Sequence, residues 1–347
     1  MTVSLSHLQR MPKIDLHLHL EGAISPQCLL TLAQRHGYQD QVSTLEAAEA
    51  LLKFSTPQEF FQQFLTVSSY ITSTGDLRLA VDDVLEHLTR DGVIYAEITI
   101  APRKFLRKGM TYPAMVAELE EAVRQSRARG GPEVRFIVDI VRDLGPDRGL
   151  ETVETAGQYP SSCVVGIGLG GTEGYPPELS IRPFERAKEL GFHLTVHAGE
   201  GAGPPSIWGA IQRLGAERID HGTRAREDPR LLEWLALNHV PLNMCPTSNI
   251  RLGVVPGLGN HPVLDYYRLG IPVTVGTDDP SFFGVSLSRE IQALANTFQM
   301  DERTIVDLQR NAVSASFLSP EEKQILWGRM ERDFLGLFPG LPRMSLS

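Results

Sequence analysis

Short apolar runs alternate with longer amphipathic stretches along most of the chain. Runs rich in Val, Ile and Leu fall at 13–20 (KIDLHLHL), 93–100 (VIYAEITI), 133–140 (EVRFIVDI) and 164–169 (VVGIGL). Four more follow at 192–198 (FHLTVHA), 218–221 (RIDH), 240–245 (VPLNMC) and 271–276 (IPVTVG). Near-continuous apolar character of this kind belongs to strands covered on both faces. Helix-start signals fill the gaps: Thr56-Pro57-Gln58-Glu59 and Ser319 to Glu322 each read as a capping box with proline at the first helical position. Eight strands alternating with helices predict an α/β fold, a closed (β/α)8 TIM barrel. A doubly wound open sheet is the second choice, but no GxGxxG follows the first strand. Roughly 70 residues separate strands one and two, far more than one crossover requires, so extra helices are assigned to that insertion. Such insertions lie over the active-site end of a barrel. With no linker-like segment anywhere, residues 1–347 read as a single domain, with a loose tail after Phe338.

Composition narrows the function classes. The 347 residues carry a formal net charge of −9 and no long run of Lys or Arg, which argues against nucleic acid or an anionic membrane surface as partner. Three widely spaced cysteines (Cys28, Cys163, Cys245) form neither a disulfide framework nor a metal knuckle and suit a reducing cytoplasm. The opening MTVSLSHLQRMPK lacks a secretory leader pattern, and no stretch approaches the ~18 apolar residues of a membrane span. A cytoplasmic location is therefore expected.

The chemistry gathers at strand ends. His17 and His19 stand two residues apart, so on a strand they point to the same side. Alone, an H-x-H pair is weak evidence for a metal, the other reading being two histidines hydrogen-bonded at a strand end. But His197 ends strand five with Glu200 just beyond it, His221 ends strand six, and Asp278 and Asp279 end strand eight. A barrel brings these C-terminal ends to one face. Imidazoles plus a carboxylate suit Zn2+, and His17, His19, His197 and Asp278 could supply four ligands. Water bound to such a cation becomes acidic enough to act as nucleophile near neutral pH. Glu200, His221 and Asp279 remain as general acids, bases and hydrogen-bond partners. Those groups describe a hydrolytic metal site.

The motifs PKIDLHLHLEGA, TVHAGEGAG, RIDHGT, CPTSN and TVGTDDP, in this order and spacing, resemble the adenosine deaminase family of the amidohydrolase superfamily over nearly the whole chain. The resemblance implies one zinc per chain held by His17, His19, His197 and Asp278. It implies further that Glu200 protonates purine N1, that His221 orients the metal-bound water and assists its deprotonation, that Asp279 bonds N7, and that the Gly171 N–H meets N3. A carboxyl that donates to N1 must begin protonated, so Glu200 should have a raised pKa.

Three substrates stay open. Nucleoside deaminases of the family usually carry Asp where this chain has Glu21, a residue more typical of relatives that act on free adenine. Free-adenine enzymes in turn generally carry Ser at the position of Gly171. Phe60, Phe61 and Phe64 in EFFQQFLTVSSYI match a lid helix over the ribose, with an ordinary core stripe as the other reading. Adenosine and deoxyadenosine rank first, a 5′-modified nucleoside such as aminodeoxyfutalosine second and adenine third. A small-molecule purine is thus the expected partner, and the chain a monomer or homodimer. A phosphotriesterase-like or cyclic-amide hydrolase would need a bridging lysine, and Lys13 is badly placed for that. A non-catalytic nucleoside-binding relative would not need every catalytic group that is present. Cys245 reads as a buried strand residue, and His7, His36, His87, His193, His239 and His261 as structural or surface groups.

Overall fold

The computed structural model describes residues 4–38, 40–106 and 108–346. Eight parallel strands follow one another around one sheet in chain order. They are β1 (Lys13–His19), β2 (Val93–Ile100), β3 (Glu133–Val141), β4 (Val164–Gly170), β5 (His193–Ala198), β6 (Arg218–His221), β7 (Leu242–Met244) and β8 (Val273–Val275). Helices lie between them, and the fold is a (β/α)8 TIM barrel.

The last two strands are shorter than the hydropathy runs that predicted them. Pro241 and Pro272 precede them; their carbonyls accept from Ile219 and Leu242, but proline has no N–H to extend the ladder. Between β8 and β1 the closure rests on one bridge, Leu18 to Asp278. There the Asp278 N–H donates to the His17 carbonyl and the His19 N–H donates to the Asp278 carbonyl, both at 2.8 Å.

Five helices occupy the long insertion after β1: Leu20–Ala23, Pro26–Arg35, Leu45–Leu51, Pro57–Ser69 and Thr74–Arg90. Thr56 caps the fourth as its sequence predicts, accepting from the Glu59 N–H. The Glu59 carboxylate reaches one residue further back, to the Ser55 N–H at 2.7 Å, so the reciprocal half of that box is displaced. Ser73 and Asp76 form a complete capping box at the fifth, which sequence reading passed over.

At the barrel's floor, buried Arg218 is ion-paired with buried Glu97, which also accepts from the Tyr95 hydroxyl and the Phe317 N–H. The tail after Phe338 is not loose. Trp327 Nε1 donates to the Met344 carbonyl and the Met344 N–H to Glu331, both at 2.7 Å, so the chain folds back on the last helix. Among the described residues, no helix is long and apolar enough to cross a membrane.

Candidate active site

The parallel register delivers the predicted side chains to one rim. His197 and Ala198 on β5 stand level with Asp220 and His221 on β6, while the Leu18–Asp278 bridge sets β8 against the end of β1. As a result His17 and His197 have ring centroids 4.7 Å apart, His17 and His221 4.6 Å, and His19 and His197 5.1 Å. Asp278 Oδ1 lies 3.5 Å from His17 Nε2 and 3.4 Å from His19 Nε2. Ser248 Oγ donates to the other oxygen of Asp278 at 2.6 Å, which turns Oδ1 toward the imidazoles. Both Asp278 (φ 61°) and His221 (φ 69°) sit in the left-handed region, an uncommon backbone state that concentrates at functional sites.

The cluster fits a cation. His17 Nδ1 lies 3.3 Å from the Asn243 carbonyl, a partner that needs the ring proton and leaves Nε2 bare toward the centre. That Nε2 is buried and has no hydrogen-bond partner. His19 Nε2 and His197 Nε2 face each other at 3.1 Å. Burial and neighbouring positive charge hold His19 down near pKa 3 and His197 near 4, so both are neutral and able to ligate. Burial opposes charge on His17 as well, yet the carboxylates of Asp220, Asp278 and Asp15 outweigh it and lift that group to about 9. The site thus calls for positive charge where a proton alone would otherwise supply it. His17, His197, His221 and Asp278 offer donor atoms within 4.8 Å of one another. His19, expected as the fourth ligand, sits at the edge of this group through its contacts with His197 and Asp278, and His221 lies inside it.

Glu200 stands beside His221, its Oε1 3.4 Å from Nδ1 and accepting from Asn249 Nδ2 at 3.0 Å. Burial, then the carboxylates of Asp278 and Glu173, push its carboxyl up to about 8. Asp279 is buried with Oδ1 unpartnered, and burial together with Asp278 and Glu21 raises it well above the ordinary carboxylate range. A Cβ on Gly22 would overlap Asp279 Oδ1, so only glycine lets the start of the insertion pass this close. Gly171, at φ +89°, lies against Asp143, which accepts from the Thr172 N–H and hydroxyl and so fixes that loop.

The predicted phenylalanine stripe divides. Phe64 faces the site, its ring edge-on to His19 with centroids 6.5 Å apart. Phe60 is buried against Phe282 and Phe283, the core reading, while Phe61 is 49% exposed. Phe61 turns away because an α-helix advances 100° per residue, whereas Phe60, one turn before Phe64, shares its face with ring centroids 6.0 Å apart and is buried in the core beside it.

Sequence reasoning missed three groups. Lys104, in the short helix Pro102–Leu106 after β2, donates to buried Glu21 at 3.1 Å and lies 4.2 Å from the Phe64 ring centroid. Arg142 spans from the Gly170 and Leu169 carbonyls to that of His197 and ties three strand ends together. Asn249 connects Glu200 to His221. All three follow a strand's C-terminal end, which was the available signal, but nothing local marked their partners.

A TIM barrel with imidazoles, an aspartate and a glutamate of raised pKa at its C-terminal rim defines the class of metal-assisted hydrolases. The chain belongs to the adenosine deaminase family, whose model, described as "Adenosine deaminase", matches residues 12–332. It is 37% identical to an aminodeoxyfutalosine deaminase of Streptomyces avermitilis, over 92% of this chain and 90% of that one. With an adenine deaminase of Marinomonas sp. the identity is 32%, over 91% and 95% of the two chains. Among solved structures, an adenine deaminase from Arthrobacter aurescens superposes with a TM-score of 0.88 at 29% identity, covering 93% of this chain and 98% of its own. The protein is accordingly a hydrolytic deaminase acting on C–N bonds of cyclic amidines.

Proposed function

We propose that the protein deaminates a 6-aminopurine nucleoside carrying an enlarged 5′ group, of the aminodeoxyfutalosine type. The observation that carries this reading is the pairing of Glu21 with Lys104 beside Phe64, in a site that keeps glycine at position 171. A buried Glu21 engaged by an ammonium alters the 5′ side of the pocket, while Gly171 keeps the nucleoside-type edge. The 37% identity to an aminodeoxyfutalosine deaminase supports the same choice. Adenosine, ranked first from sequence, gives way, because the relatives reported above act by name on aminodeoxyfutalosine or adenine. Free adenine is the second reading, favoured by Glu21 itself and by the adenine deaminases at 32% and 29% identity.

In this reading His17, His19, His197 and Asp278 hold one Zn2+. When bound, the cation supplies a water acidified toward neutral pH as the nucleophile. Glu200, protonated at neutral pH, donates to purine N1 and makes C6 electrophilic. Asp279 bonds N7, and its raised pKa allows it to donate a proton to that acceptor. The Gly171 N–H meets N3, His221 orients the attacking water, and Phe64 covers the sugar. Loss of ammonia from the sp3 carbon then restores the ring as a 6-oxo purine.

An ultraviolet assay of purified protein against aminodeoxyfutalosine, adenine, adenosine and 2′-deoxyadenosine decides the matter. The 5′-modified nucleoside should lead in kcat/KM by about tenfold or more, the worth of one or two well-placed contacts. Adenine in front selects the second reading, and adenosine in front overturns both.

A further inference from the structure

Asn249 is fully buried in the helix Pro246–Arg251, directly after β7, and none of the roles above uses it. Its polar atoms make four contacts: Oδ1 with Thr223 Oγ1 at 2.7 Å and His261 Nε2 at 3.1 Å, and Nδ2 with Glu200 Oε1 at 3.0 Å and His221 Nδ1 at 3.2 Å.

The direction of every bond in this chain can be worked out from one fixed donor. The Val263 N–H can only donate, and it points at His261 Nδ1 at 3.3 Å. His261 therefore carries its proton on Nε2, since burial keeps the ring neutral. That N–H donates to Asn249 Oδ1, and the Thr223 hydroxyl donates to the same oxygen. The amide nitrogen must then face Glu200 and His221, with one hydrogen for each. Glu200 Oε1 accepts one. His221 Nδ1 accepts the other, so a neutral His221 carries its proton on Nε2.

We propose that Asn249 is a positioning residue that sets where the protons sit on both Glu200 and His221. Glu200 Oε1 is occupied as an acceptor, which leaves Oε2 to hold the proton that the reaction delivers. His221 presents an N–H to the cluster. A protonated ring nitrogen cannot ligate a cation, so His221 orients the nucleophile as a donor and His19 completes the ligand set. The inference rests on the deaminase reading of the site and refines it.

The test uses metal-loaded protein with Asn249→Asp, which is isosteric but replaces the donor with an acceptor, and Thr223→Val, which removes only one anchor of the amide. Asn249→Asp should lower kcat by about 100-fold or more, as misdirected acid–base groups do, with KM within about threefold. Thr223→Val should lower kcat by about three- to tenfold, the worth of one neutral hydrogen bond, and remains informative should the first variant misfold. Nitrogen-15 NMR of the His221 ring should report a bare Nδ1 in the wild type and a protonated Nδ1 in Asn249→Asp. A protonated Nδ1 in the wild type, or kcat within about twofold of wild type in both variants, overturns the proposal. Wild-type turnover of a 6-aminopurine alongside such results leaves the deaminase reading standing, whereas no turnover of any 6-aminopurine removes it first.

Discussion

At Asp278 a backbone angle of φ 61° is maintained against a cost of about 1–3 kcal/mol for a residue with a side chain. Two main-chain hydrogen bonds to β1 and one from Ser248 over-determine that conformation, and together they turn Oδ1 to the histidines. Single atoms decide the chemistry here in the same way. Glu200 lies among buried carboxylates that favour its neutral form, so Glu200→Gln preserves shape while removing the transferable proton. That variant should retain its cation by elemental analysis and its Tm, with kcat down by about 10²–10⁴. Near-wild-type turnover would remove Glu200 as the acid. The side chains that gather at the rim were legible in the sequence because H-x-H, HAGE and TDD stand at strand ends. Asn249 was not: CPTSN was visible as a motif, but its partners Glu200, Thr223 and His261 come from three other parts of the chain.

At the scale of elements, the segment after β2 grips the helix Pro57–Ser69 at two points. Lys104 lies against Phe64, and Lys108 Nζ donates to the carbonyls of Ser68, Ser69 and Ile71 at 3.1, 2.8 and 2.9 Å. The last carbonyls of a helix lack internal partners and attract a cation, so this contact pins the end of the helix that carries Phe64. Lys108→Ala removes hydrogen bonds from a charged donor worth about 1.5–3 kcal/mol each in favourable cases. The expected result is faster proteolytic cleavage near exposed Phe61 and a KM raised about tenfold, with kcat less affected. Helix starts follow local chemistry and were legible at Thr56 and Ser319. The Lys108 contact was not, since it joins residues about 40 positions apart.

For the molecule as a whole, stability and catalysis occupy opposite ends of the barrel. Arg218 and Glu97 pair at the floor, away from the rim. Arg218→Met leaves a buried carboxylate uncompensated and should cost about 3–5 kcal/mol in urea unfolding, with kcat/KM under native conditions within about twofold. At the rim the cation would join β1, β5 and β8, where backbone closure between β8 and β1 is one bridge long. Chelation should therefore lower Tm by several degrees, since a ligand at a hundred times its Kd contributes about 2.7 kcal/mol, and added zinc should restore both Tm and activity. An unchanged Tm would separate the cation from barrel closure.

Taken alone, the order of residues determined the strand sequence, the inserted helices and which acids and imidazoles stand at strand ends, because hydropathy period and capping act over a few neighbouring positions. The tertiary structure decided the rest. It chose Phe64 from the phenylalanine stripe, brought Lys104 to Glu21, tied the tail back through Met344 and placed Asn249 between Glu200 and His221. Each of these depends on groups far apart in the chain meeting in a dry interior, where an unpaired polar atom costs about 1–3 kcal/mol and partners are consequently fixed. Local pattern has no access to that energy until the barrel closes.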